Sequence, residues 1–86
     1  MAEQISEVDT VINSLNEIQE DATVPRNVRA KIEAIISSLR EETELSIKVS
    51  KTLNDLDEIA GDINLQAYTR TQIWNVISAL EKLINN

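Results

Sequence analysis

Hydrophobic residues recur along this chain at three- and four-residue intervals, the spacing of a single stripe on an α-helix. Ile5, Val8, Ile12, Leu15 and Ile18 mark a first helix from Glu3 to about Glu20. Its first turns hold Glu3, Glu7 and Asp9, where the helix dipole favours anions. The stripe breaks at Asp21-Ala22-Thr23-Val24-Pro25. Thr23 is suited to cap a second helix, and Pro25, lacking an N–H, is tolerated in a first turn where that donor has no partner anyway. Val28, Ile32, Ile35, Ile36 and Leu39 form the second stripe, which ends near Arg40. Thr43 caps a third helix bearing Leu45, Val49, Leu53, Leu56, Ile59 and Ala60, and Gly61 stops it. Asn64 then takes the role of Thr23 ahead of a fourth helix with Leu65, Ile73, Val76, Ile77, Leu80, Leu83 and Ile84.

The second half of this pattern repeats the first. Shifted by 41 positions, Val8–Leu39 aligns with Val49–Leu80 without a gap, and 11 of 32 positions are identical, among them Asp21/Asp62, Arg29/Arg70 and Ile32/Ile73. Unrelated stretches of that length share roughly two. The expected fold is therefore all-α: a four-helix bundle built from two tandem helical hairpins, about 3–40 and about 44–84, in one domain spanning 1–86. Up-and-down packing with a left-handed twist is the usual geometry of such bundles. The 41-residue period is also that of HEAT repeats, and a short HEAT-like curl that dimerises is the alternative, since two units cannot make a solenoid. Closure is favoured because each helix has one apolar stripe and a charged opposite face.

Composition narrows the chemistry. With no Cys and no His among 86 residues, disulfides, zinc fingers, thiol nucleophiles and imidazole catalysis are excluded. One Gly and one Pro argue against a sheet protein rich in tight turns. No apolar run approaches the ~18 residues of a membrane span, and MAEQISEVD has no signal-peptide pattern, so the chain reads as cytoplasmic and not membrane-bound. Acids outnumber bases 15 to 8, for a net charge of -7. That balance repels a phosphate backbone and argues against nucleic acid as a partner, with a local basic patch at Arg26, Arg29 and Lys31 as the counter-indication. The acidity reads first as a solubility device.

Four features stand out beyond packing. Asp21 and Asp62 each follow a helix C-terminus, where the dipole disfavours an anion. They are read as structural, either accepting N–H bonds from the next helix start or pairing with Arg29 and Arg70 reaching back. Glu17, Glu20 and Asp21 with Asp57, Glu58 and Asp62 form an acidic set that Mg²⁺ would accept, although the ordinary reading is a solvated face. Arg40-Glu41-Glu42-Thr43-Glu44 superficially resembles the paired glutamates of all-α nucleotide pyrophosphohydrolases, but its third Glu is one residue too close and it falls in a loop. Trp74 replaces Glu33 of the first unit and lies about 100° around the helix from Ile73. It either fills a gap between the hairpins or contacts a partner, with Arg70 four residues earlier placed to stack on it.

Glu17–Arg29 (EIQEDATVPRNVR), Leu56–Asp62 (LDEIAGD) and Arg70–Glu81 (RTQIWNVISALE) together resemble the signature segments of a family of short archaeal proteins. It is known as uncharacterised protein family zero-one-four-seven, and the similarity covers nearly the whole chain. The chain departs from it after Asp62, where the family tends towards a Pro-containing loop and Ile63-Asn64-Leu65-Gln66 has none. The resemblance implies a four-helix fold and an archaeal cytoplasmic protein, and it carries no activity, cofactor or functional residues. The reading that follows is a small non-catalytic helical module that binds another protein or a second copy of itself. No catalytic residue, metal or cofactor is expected. Its candidate contact surface is Trp74 and Arg70 with Val24, Pro25 and Arg26. The alternatives are a Mg²⁺-dependent enzyme acting on a phosphorylated small molecule and a nucleic-acid-associated factor using Arg26, Arg29 and Lys31.

Overall fold

The computed structural model describes residues 7–84, which form four helices and, among the described residues, no strand. They are α1 (Glu7–Gln19), α2 (Arg26–Leu39), α3 (Leu45–Ala60) and α4 (Ala67–Ile84). The expected start of the first helix at Glu3, and Ile5 on its stripe, lie outside the described residues. Helix α1 packs on α2 and α4, α3 packs on α2 and α4, and the diagonal pairs do not meet. Contact between the first and last helices closes the ring, so the four stripes share one core.

That core is drawn from the expected stripes. Leu15, Ile18, Ile32, Leu39, Leu56, Ile59, Ile73 and Leu80, two from each helix, are its largest fully buried side chains. Val11 joins them, and so do two polar residues, Thr52 and Thr69. Thr52 stands 41 positions after Val11 and Thr69 41 after Val28, so each threonine takes the place of a β-branched residue of the same outline. The stripes loosen at the open ends. Leu45, the first residue of α3, is 39% exposed, and Ile84, the last of α4, is 36% exposed.

Helix ends differ from the sequence expectation. Pro25 occupies the cap position of α2 itself, and no side chain caps that helix. Thr23 turns back instead, donating from its N–H and its hydroxyl to Asp21 Oδ1 at 2.9 and 2.7 Å. Asn64 N–H donates to Asp62 Oδ1 at 2.8 Å in the same way, ahead of a helix that starts at Ala67. An aspartate that bonds the backbone two residues on makes its own turn, so Thr23 and Asn64 serve that turn and not the helix. Glu44, not Thr43, sits at the cap of α3, again without a side-chain bond. Gly61 does terminate α3, but with φ -84° it is right-handed. A Cβ there would meet only Glu58 O at 3.6 Å and Asp57 O at 3.8 Å, so this stop does not depend on glycine's conformational freedom.

Leu56 is fully buried at the centre of the ring. Leu56→Ala should therefore cost about 2–5 kcal/mol in urea unfolding. Ile84→Ala, at the loose end of the same core, should cost less than about 1 kcal/mol. Equal losses would contradict the closed core.

Candidate functional site

The two hairpin joints are built by the same bonds 41 positions apart. Asp21 N–H donates to Ile18 O at 3.1 Å and Asp62 N–H to Ile59 O at 3.0 Å. Val24 N–H then donates to Asp21 O, and Leu65 N–H to Asp62 O, both at 3.1 Å. These bonds turn Val24 and Leu65 inward, where both are buried. Val24 therefore plugs the bundle beneath the first joint and is no part of a partner surface. Pro25 beside it is half-buried, and Arg26 is exposed.

Neither aspartate is held by its arginine. Arg70 does reach back across the joint, but to main-chain oxygens: Nε donates to Ala60 O at 2.9 Å, and one terminal nitrogen donates to Asp62 O at 2.9 Å and Leu65 O at 3.3 Å. The last carbonyls of a helix have no partner within it, and a planar guanidinium with several donors satisfies them better than it would a carboxylate already used in its own turn. Arg70 is thereby turned towards the joint and not stacked on Trp74. The two bonds from Thr23, its hydroxyl first and then its N–H, hold the Asp21 carboxyl below its ordinary value of 3.8.

Lys48 does for α2 what Arg70 does for α3. Its Nζ donates to Leu39 O at 3.0 Å and Glu41 O at 2.8 Å, placing a cation at the negative end of α2. Sequence reading missed it, although a base within one turn of a helix start and following a short joint is the available signal. Arg29 occupies the equivalent place at the first joint, yet its Nε is buried without a hydrogen-bond partner. It lines an open cavity of about 290 Å³ with Gln19, Arg26, Ala30 and Glu33.

Trp74 does not fill a gap between hairpins; it is 55% exposed. Two other large apolar residues nearby in sequence are more exposed still, Ile63 at 91% and Tyr68 at 68%. Forty-one positions earlier stand Ala22, Asn27 and Glu33, all exposed as well. The same three surface positions are thus apolar in one hairpin and small or polar in the other. Trp74 lies on α4 and Arg26 on α2, diagonal helices that do not pack on each other. Of the five residues expected to form one contact surface, Arg70 and Trp74 share α4, Pro25 and Arg26 stand at the start of α2, and Val24 is buried.

The six acids considered for Mg²⁺ are dispersed, and no group of three or more Asp or Glu is placed to hold a metal ion among the described residues. Glu41, Glu42 and Glu44 are exposed in the α2–α3 joint, outside any helix. A second unpartnered polar atom, Gln72 Oε1, is buried at the α1/α4 seam beside Ser14 and Asn75. No described helix is long and apolar enough to cross a membrane.

The model of an uncharacterised protein family, UPF0147, matches residues 1–83. The chain belongs to this family. Similar UPF0147 proteins include one from Methanocaldococcus jannaschii, 44% identical over 70 residues that cover 80% of this chain and 75% of that one. Another, from Archaeoglobus fulgidus, is 37% identical over 76 residues, covering 88% and 87%. Two crystal structures share the fold. The unknown-function protein MMP1188 superposes with a TM-score of 0.85 at 39% identity, over 99% of this chain and all of that one. A UPF0147 protein from Thermoplasma acidophilum gives 0.84 at 37% identity, over 90% and 92%. The four-helix architecture is thus shared with a solved UPF0147 protein, and the family supplies no activity.

The two arginines of this UPF0147 chain should separate in a stability measurement. Arg70→Met leaves three carbonyls short of a charged donor and should cost about 2–3 kcal/mol. Arg29→Met removes a cation whose Nε satisfies nothing and should cost under about 1 kcal/mol. Similar losses at both would show that Arg29 also braces its joint.

The Asp21 turn makes a second prediction. Because the folded carboxyl is depressed, its contribution is present above the unfolded value and is lost as pH falls through the folded one. In an NMR titration Asp21 should titrate below 3.8. Thr23→Val, which deletes the hydroxyl but keeps the N–H, should move it part of the way back up. An Asp21 that titrates at its ordinary value in the native protein would remove this account of the turn.

Proposed function

We propose that this protein is a small non-catalytic interaction module of the cytoplasm, and that its second hairpin docks a protein partner through Ile63, Tyr68 and Trp74. The observation that carries this reading is the contrast with Ala22, Asn27 and Glu33. Equivalent positions are equally outside the core in both hairpins, so folding does not require them to be apolar. Large exposed apolar side chains reduce solubility and are characteristic of contact surfaces, and Trp and Tyr are enriched among residues that dominate binding energy. Arg70 is spent on the joint and is not counted among the contact residues.

Trp74 is the chain's single tryptophan, so its fluorescence reports directly on this surface. The tagged protein, recovered from its native cells with nuclease treatment, should retain a stoichiometric protein partner that Trp74→Ala and Ile63→Ser lose while melting as the parent does. Adding that partner should move Trp74 emission to shorter wavelength as the indole leaves water. A blue shift that grows with the concentration of the protein alone would identify the partner as a second copy. Partners that vanish with nuclease, or that survive both substitutions, would overturn the proposal.

A further inference from the structure

The joint between the two hairpins is built unlike the joints within them. At 20–25 and 61–66 an aspartate makes its own turn, and a buried residue, Val24 or Leu65, anchors the chain in the core. Between α2 and α3 every residue from 40 to 47 is exposed, so no side chain of this joint is anchored there. It contains no Gly and no Pro, and no non-glycine residue among those described has a positive φ. Arg40 is already right-handed helical, and Glu44 departs from a helix in ψ alone, at φ -59° and ψ 135°. Lys48 bridges the joint by its two bonds to Leu39 O and Glu41 O. In a continuous helix those carbonyls would accept from the N–H groups of Thr43 and Leu45 instead. Lys48 would then follow Glu44 by four residues, the favourable order for an ion pair.

The apolar stripes of α2 and α3 also run in phase across the joint. Ile32, Ile35 and Leu39 are spaced by three and four residues, and Val49, Leu53 and Leu56 by four and three. Carried on from Leu39, the same alternation reaches Glu42, Ser46 and then Val49. One helix over 26–60 would thus keep a single apolar face, broken only at Glu42 and Ser46, both exposed in the ring.

We propose that this joint is a hinge: it straightens so that α2 and α3 become one helix, and two copies of the chain exchange hairpins. Exchange of an identical element is a low-cost route to a dimer. The α1/α2 and α3/α4 contacts stay within each chain, and the α1/α4 and α2/α3 contacts that close the ring are remade between copies by the same side chains. Because α2 of one copy then lies on α3 of the other, the two long helices run antiparallel with their dyad at the joint. Glu42 of each copy falls near that dyad on the inner face. Like charges there oppose the exchange, which makes the closed monomer the resting form. The hinge does not depend on the contact surface at Ile63, Tyr68 and Trp74.

The test completes the stripe. Glu42→Leu with Ser46→Leu leaves the core of the ring untouched and should double the mass measured by light scattering at concentrations where the parent is monomeric. Adding Thr43→Pro, which bars a continuous helix, should restore the monomer. Exchange itself is read by linking, since the chain has no Cys and Ser14 on α1 and Asn75 on α4 line one cavity. A double-leucine chain with Ser14→Cys and another with Asn75→Cys are unfolded, refolded together and treated with a short bifunctional maleimide. The expected product is a covalent link between the two different chains. The same cysteines in the parent should give it as a minor fraction that grows with concentration during refolding. A double-leucine protein that stays monomeric overturns the proposal, and so does a parent that yields no link at any concentration. A dimer that survives Thr43→Pro also overturns it, because its copies then meet through the added leucines without exchange.

Discussion

A helix leaves its last carbonyls without hydrogen-bond donors, and in this bundle three helices end at joints of only five or six residues, 20–25, 40–44 and 61–66. At two of these joints a cation of the next helix supplies the donors. Lys48 reaches from α3 to the end of α2, and Arg70 from α4 to the end of α3. Each brings a cation to the negative pole of the helix dipole. At 20–25 and 61–66 the chain between the helices is folded by an aspartate that makes its own turn. The inward Val24 and Leu65 follow from that turn, which converts a joint into a lid on the core.

The helices and their stripes were legible because apolar periodicity is a local property. Leu15, Ile32, Leu56 and Ile73 fall where 3.6-residue spacing puts them, and all are fully buried. The joints were not legible, and for a physical reason. Asp21 and Arg29 are eight residues apart, and opposite charge suggests an ion pair, but sequence does not display the main-chain carbonyls that compete for the guanidinium. A backbone oxygen is present at every residue and so leaves no trace in composition. The same blindness misassigned Thr23 as a helix cap: a capping hydroxyl accepts from backbone N–H groups, whereas here it donates to Asp21 Oδ1. Val24 was misread as surface because it lies between stripes, although its alignment with Leu65 marked it as core. The lone Nε of Arg29 had no sequence signal at all, because Arg29 and Arg70 are the same letter in the same place.

What distinguishes the two hairpins lies on top of what they share. Once the joints are secured by the same aspartate turn and the same inward plug, neighbouring surface positions are free to vary without cost to the fold. They differ in opposite directions. Ala22, Asn27 and Glu33 face Ile63, Tyr68 and Trp74 across the 41-residue offset, so the second hairpin gains apolar surface. Arg26 and Lys31 stand opposite Ala67 and Gln72, so the first gains positive charge.

That opposition bears on function more than either surface does alone. Random drift on a solvated face tends to substitute one polar residue for another, since exposed apolar area carries a solubility cost and an unpaired buried donor carries a folding cost. This chain bears both: exposed apolar area in the second hairpin, and a buried polar atom without a partner in each, Arg29 Nε and Gln72 Oε1. Arg29 sits on α2 and Gln72, Tyr68 and Trp74 on α4, with Ile63 in the joint before it. Both departures leave the aspartate turns, the inward plugs and the core unchanged, so the fold tolerates surfaces that differ between its two hairpins.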